Sequence, residues 1–152
     1  MQAHELAEPY PTVRMDGSAL EAARLFAARR LPGLIVVDDN EHPIAVLPGS
    51  QLMRFFIPRY VQDDPALARV LDEPHADRLC EALTGKTVAD LLPKDTTQIP
   101  VAAPDDNVLE IAAAMARHRS PLIAVVAGNS RTAPLIGAIS VSLLLTRLLP
   151  PA

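Results

Sequence analysis

Apolar positions along the chain follow two alternating patterns: stretches where they return every three or four residues, and short runs that are apolar throughout. In the first half, Leu20, Ala23, Ala27 and Leu31 recur at helical steps, which predicts an amphipathic helix. Residues 34–37 follow without a polar interruption and read as a strand buried on both faces. A polar turn at 38–42, a second apolar strand at 44–47 and a second helix at 51–56 complete the pattern. The same succession returns after residue 100. Residues 101–103 match the short extended piece at 12–14, and Leu109, Ala112, Met115 and Ala116 predict the helix. Strands are expected at 122–126 and 135–139 around a turn at 128–132, then a helix at 143–149. Each half therefore reads β-α-β-β-α, with the second turn expected to be four residues longer than the first.

The two halves are copies of one unit. Residues 11–38 align with residues 100–127 without a gap, and ten positions are identical, among them Asp16 with Asp105, Leu20 with Leu109, and Pro32 with Pro121. Before each first helix stands N-cap chemistry, Asp16-Gly17-Ser18 and Asp105-Asp106-Asn107, with Glu21 and Glu110 in the first turn, where the helix dipole favours acids. Pro32 and Pro121 bar each helix from continuing. Residues 57–98 are not repeated. Pro65 and Pro74 sit at expected helix starts, helical spacing runs over 66–72 and 76–83, and Gly85 is a natural stop. The organisation expected is a first unit at 1–56, a helical insert at 57–86, and a second unit at 87–152.

Composition narrows the function. Aromatics are 3% with no Trp, so few side chains could stack nucleobases, and a net charge of −4 removes the footprint expected for nucleic acid or membrane surface. A single cysteine, Cys80, forms no internal disulfide and lies among Leu79 and Leu83 as a buried apolar thiol. The first residues are acidic and lack an apolar core, unlike a signal peptide, and no apolar run spans a bilayer. A cytoplasmic protein is expected. The histidines His4, His42, His75 and His118 are dispersed, which argues against a metal site. No nucleophile with its base, phosphate loop or acid-base pair is visible, so catalysis is not expected.

The repeated unit resembles a CBS-domain pair, also called a Bateman module. Phe26, Leu31, Leu34, Val36, Val37 and Asp38 match the family's helix-to-strand signature in the first copy, as do Met115, Ile123, Val125 and Val126 in the second. Thr87-Val88-Ala89-Asp90-Leu91-Leu92 is similar to the family's short helix ahead of the first strand, and Gly137-Ala138-Ile139-Ser140 to the end of its last strand. The resemblance implies an α/β (α+β) fold of two pseudo-symmetric units, a regulatory rather than catalytic role, and a homodimer joined through helices. It further implies an adenosine-type ligand (AMP, ADP, ATP or S-adenosylmethionine) between the units. Candidate contacts are Leu34, Gly49, Ser50, Arg119, Leu122, Ser140 and Ser142.

In the family's Thr/Ser-x-x-Asp motif the hydroxyl meets phosphate and the carboxylate accepts from the ribose. Here Ser140-Val141-Ser142-Leu143 keeps the hydroxyl and loses the acid. Leu47-Pro48-Gly49-Ser50 is taken as its counterpart, with Ser50 in the acid's place. Each candidate also has a plainer reading. Ser140 and Ser142 suit helix capping, Pro48-Gly49-Ser50 suits a strand-to-helix turn with Ser50 as N-cap, and Arg29, Arg30, Arg117 and Arg119 suit helix C-termini. The alternative function is a structural or protein-interaction module with a decayed nucleotide site, docking a regulated partner through the insert around Arg59 and Tyr60.

Overall fold

In the computed structural model of the chain, residues 1–57, 59–70, 80–94, 98–128, 130 and 132–152 are described. His75, Pro74, the Cys80 side chain and the parts of the expected insert helices at 71–79 lie outside the described residues.

Two three-stranded sheets carry the molecule. The first orders β1 (Thr12–Arg14), β2 (Gly33–Val37) and β3 (Pro43–Pro48), and the second β4 (Val101–Ala102), β5 (Leu122–Val126) and β6 (Leu135–Ser140). In each, the first pair is parallel and the second antiparallel. The helices α2 (Ala19–Arg29) and α3 (Gly49–Phe56) belong to the first unit, and α6 (Val108–His118) and α7 (Val141–Leu148) to the second. The mixed α/β fold with two copies of β-α-β-β-α is thus observed as the repeat implies.

The central strands explain their unbroken apolar runs. Every residue of β2 and β5 is buried. Strand side chains alternate faces, and here the two faces meet different neighbours. Leu34 and Val36 join the first unit's helices, while Ile35 and Val37 pack with Leu122, Ala124 and Ala138 of the other sheet. Ile123 and Val125 turn back to the second unit's helices. One core therefore lies inside each unit, and a third lies between them.

Ser18 and Asn107 cap α2 and α6, each accepting from the N–H of the glutamate three residues on. Glu110 also accepts from the Asn107 N–H at 2.8 Å, closing a reciprocal capping box. Both helices end on a left-handed residue, Arg30 at φ 49° and Arg119 at φ 50°. That conformation is shared, so it belongs to the unit and not to either arginine's function. The expected apolar stripe of α6 holds at Ala112 and Met115 and is corrected at its ends. Leu109 is 74% exposed and Ala116 is exposed, while Ile111 is buried. Two stripes at three- and four-residue steps coexist in this Ala-rich helix, and periodicity alone does not choose between them.

The short leading helices trade places. α1 (Ala3–Leu6) precedes the first unit in sequence, yet Ala3 and Leu6 are buried in the second unit's core. α5 (Val88–Leu91) precedes the second unit, yet Val88 and Leu91 are buried in the first. The exchange is reciprocal down to single bonds. The Ala3 N–H donates to the Asp106 carbonyl at 2.8 Å, and the Val88 N–H to the equivalent Gly17 carbonyl at 2.9 Å. Between α3 and α5 the described segments are α4 (Arg59–Asp63) and two 3₁₀ turns, Pro65–Val70 and Cys80–Leu83. The Gln62 amide donates to the carbonyls of Arg54 and Ile57 and ties α4 to the end of α3.

Candidate functional site

The register of the sheets decides which residues correspond across the repeat. Gly33 pairs with Pro48, and its equivalent Leu122 pairs with Ser140. Pro48 is therefore the counterpart of Ser140, and Gln51 that of Leu143. The alignment of Leu47 with Ser140, and of Ser50 with Leu143, is off by one. Its cause is the turn between the strands, which spans residues 38–42 in one unit and 127–134 in the other, three longer and not four.

Two further expectations change with it. Pro48, not Ser50, is the N-cap of α3, and no side chain caps that helix. Ser50 is exposed within the first turn. Gly49 is its first residue, and a Cβ there would come within 2.7 Å of the Phe26 ring. Proline lacks a side-chain acceptor, so the first-turn N–H groups of α3 keep no cap. At the other junction Ser140 does cap α7, accepting from the Leu143 N–H at 3.2 Å, with the Ser142 hydroxyl 3.2 Å away.

A cleft of about 310 Å³ opens between the units beside Pro48. The first unit lines it with Val46, Pro48, Gln51 and Arg54. The facing wall is Ile99, Pro100, His118, Arg119, Ser120 and Pro121 of the second. Its size falls in the range of about 300–1,000 Å³ usual for small-molecule sites. Of the seven residues proposed from sequence, only Arg119 lines this cleft. Leu34 is fully buried in the first unit's core and Leu122 in the core between the units, and Ser140 and Ser142 stand at the opposite, symmetry-related junction. Gln51, Arg54, His118 and Ser120 line the cleft too, and none of them is among the seven. The shared signal was available in the repeat, but only with the correct turn length does Gln51 fall in the motif's last position.

Several polar groups in the cleft are already committed. The Gln51 amide donates to the Leu91 carbonyl at 3.2 Å, so its oxygen remains to accept. The His118 Nδ1 lies 2.8 Å from the Ala114 carbonyl oxygen, and since a carbonyl only accepts, this nitrogen carries the proton. The Ser120 hydroxyl donates to the Leu122 carbonyl at 2.6 Å. Arg54 and Arg119 have no carboxylate partner among the described residues.

The symmetry-related position is built from different chemistry. Leu143, Thr146, Tyr10 and Leu31 stand where the cleft has Gln51, Arg54, Ile99 and Ser120. The Tyr10 hydroxyl donates to the Gly33 carbonyl at 2.6 Å. Burial pushes the phenol up to about 12, against the lowering effects of that hydrogen bond and of nearby Arg29. No group of three or more potential metal ligands occurs among the described residues, and none of their helices is long and apolar enough to cross a membrane.

Residues 4–57 match the profile of the family described as CBS domain. A CBS domain-containing protein of unknown function from Kribbella flavida is 51% identical, with 99% of each chain covered and a TM-score of 0.85. The CBS domain of a CBS domain-containing membrane protein from Sphaerobacter thermophilus is 28% identical over 98% of this chain and 88% of that one, with a TM-score of 0.72. CBSX2 in complex with AMP shares the fold at 18% identity and a TM-score of 0.65, covering 97% of this chain and 95% of its own. No curated protein matches the chain.

Proposed function

Given that the chain belongs to the CBS-domain family, we propose that it is a regulatory CBS pair whose ligand is an adenosine-type nucleotide held in the cleft beside Pro48. The observation that carries this reading is the composition of the cleft walls. Gln51 and Arg54 come from one unit and His118, Arg119 and Ser120 from the other, so any occupant touches both. A ligand that bridges two units stabilises the arrangement in which both walls are in reach, and so shifts the population toward it. Occupancy then becomes a change of shape or rigidity that another protein can read. CBSX2, a protein with this fold, is in complex with AMP, which supports the ligand class.

The test is a thermal-shift and calorimetric panel of AMP, ADP, ATP, S-adenosylmethionine and NAD on the full chain. Stabilisation by one of them, lost in Arg119→Ala, supports the reading. No stabilisation by any of them favours a protein-interaction module instead. For that second reading the supporting observation is α7. Its Val141, Leu145 and Leu148 are exposed together with Leu149, four apolar residues at helical spacing on one side. A second copy of the chain is the proposed occupant, and light scattering on the purified protein reports it. A strictly monomeric mass at working concentration would sink the dimer.

A further inference from the structure

We infer that the cleft beside Pro48 selects its ligand by phosphate charge and reads the sugar hydroxyls weakly. This inference rests on the nucleotide reading above and adds what the site discriminates. Its ground is which polar groups in the cleft are already used. Three neutral or titratable groups spend an atom on the main chain: Gln51 on Leu91, His118 on Ala114 and Ser120 on Leu122. The two guanidiniums do not. Arg54 enters from α3 of one unit and Arg119 from the turn after α6 of the other, and neither meets a carboxylate among the described residues. The chain as a whole carries a net charge of −4. A cleft with two cations that meet no acid among the described residues is therefore set against the charge of the rest of the molecule.

A guanidinium presents a planar fork of donors that fits phosphate oxygens, and such charge-assisted bonds are the strong ones. Adjacent sugar hydroxyls need the opposite, an acceptor able to take both at once, which is the work of a carboxylate. The described lining offers no carboxylate for that purpose, only single acceptors such as the Gln51 amide oxygen, the Ser120 hydroxyl oxygen and the His118 Nε2. Val46, Ile99 and the prolines can cover a base or sugar face without asking for any particular hydroxyl. The cleft is thus strong toward phosphates and indifferent to a missing 2′-hydroxyl.

The experiment is isothermal titration of the full chain with adenosine, AMP, ADP, ATP, 2′-deoxy-ATP and inorganic triphosphate at fixed ionic strength. Adenosine should give no detectable binding. Each added phosphate should tighten binding by about threefold or more, and 2′-deoxy-ATP should stay within about threefold of ATP. Arg54→Ala and Arg119→Ala should each weaken ATP by about tenfold or more, with unchanged melting in the absence of ligand. Adenosine binding as tightly as ATP, or 2′-deoxy-ATP falling more than about tenfold below it, overturns the inference and leaves the nucleotide reading standing. Inorganic triphosphate matching ATP supports selection by charge and overturns the nucleotide reading. If no member of the panel binds, both fall.

Discussion

At Pro48 the first sheet runs into a helix that no side chain caps, and the turn faces a cleft whose Arg54 and Arg119 meet no carboxylate among the described residues. At Ser140 the second sheet makes the same passage, but the serine closes the helix with its own hydroxyl, and Leu143 stands where Gln51 does in the first. The backbone plan is one plan used twice. What differs is which side chains stand at each junction: Gln51 and Arg54 at the first, Leu143 and Thr146 at the second, where Arg29 and Arg30 also take the places that His118 and Arg119 hold in the cleft. A duplicated fold thus preserves its packing in both copies while its chemistry is free to drift in one, because packing constrains every buried residue and a ligand constrains only the few that touch it.

Substitutions can test how deep the equivalence of the halves goes. The largest effect is expected at the exchanged helices. Leu91→Ala and Leu6→Ala each empty a buried site in the partner unit's core and should cost about 2–5 kcal/mol in denaturant unfolding. Hydrogen exchange should rise in the first unit for Leu91→Ala and in the second for Leu6→Ala. The reverse assignment would refute the exchange.

A smaller and one-sided effect is expected at Gly137. Its Cβ would come within 2.5 Å of the Glu8 carbonyl oxygen, where the chain after α1 pairs with β6. Gly137→Ala should destabilise by about 1–3 kcal/mol. Its counterpart already carries a side chain, so Ala45→Gly should cost less than about 1 kcal/mol. Equal losses at both positions would show that the halves meet their leading segments in the same way.

Tyr10→Phe leaves the Gly33 carbonyl without its donor and should cost about 1–2 kcal/mol at neutral pH. It should also change the alkaline limb. The folded phenol titrates at about 12, above its ordinary value of 10.0, so the folded state holds the proton more tightly. The stability this gives is complete below pH 10 and is lost as pH rises through 12. That loss should be smaller in the variant when melting is followed from pH 9 upward. Last, Ser140→Ala removes the cap of α7 and should cost about 1 kcal/mol, whereas Pro48→Ser should gain a few tenths to about 1 kcal/mol by supplying the missing cap.

Much of this was legible in the chain. The duplication, the ten matched positions and the fully apolar runs of β2 and β5 follow from local pattern, because a strand buried on both faces tolerates no polar residue. The caps at Ser18 and Asn107 are equally local. The site was not, and one loop explains why. The turn between β5 and β6 is three residues longer than that between β2 and β3, and an expected difference of four moves Gln51 out of the motif and puts Ser50 in its place. Turn length leaves no periodic signature, so pairing alone sets it.

The sequence by itself determined the unit, its repetition and the faces that had to be buried, since hydrophobic burial at a fixed period is read along the chain. Only the tertiary structure decided that α1 and α5 change places, since Ala3 and Val88 contact residues far away in sequence. It also decided that Gln51, Arg54 and Arg119 share one cleft. Arg54 and Arg119 stand on different units, and only the packing of the two sheets on Ile35, Val37, Leu122 and Ala124 brings them to the same opening.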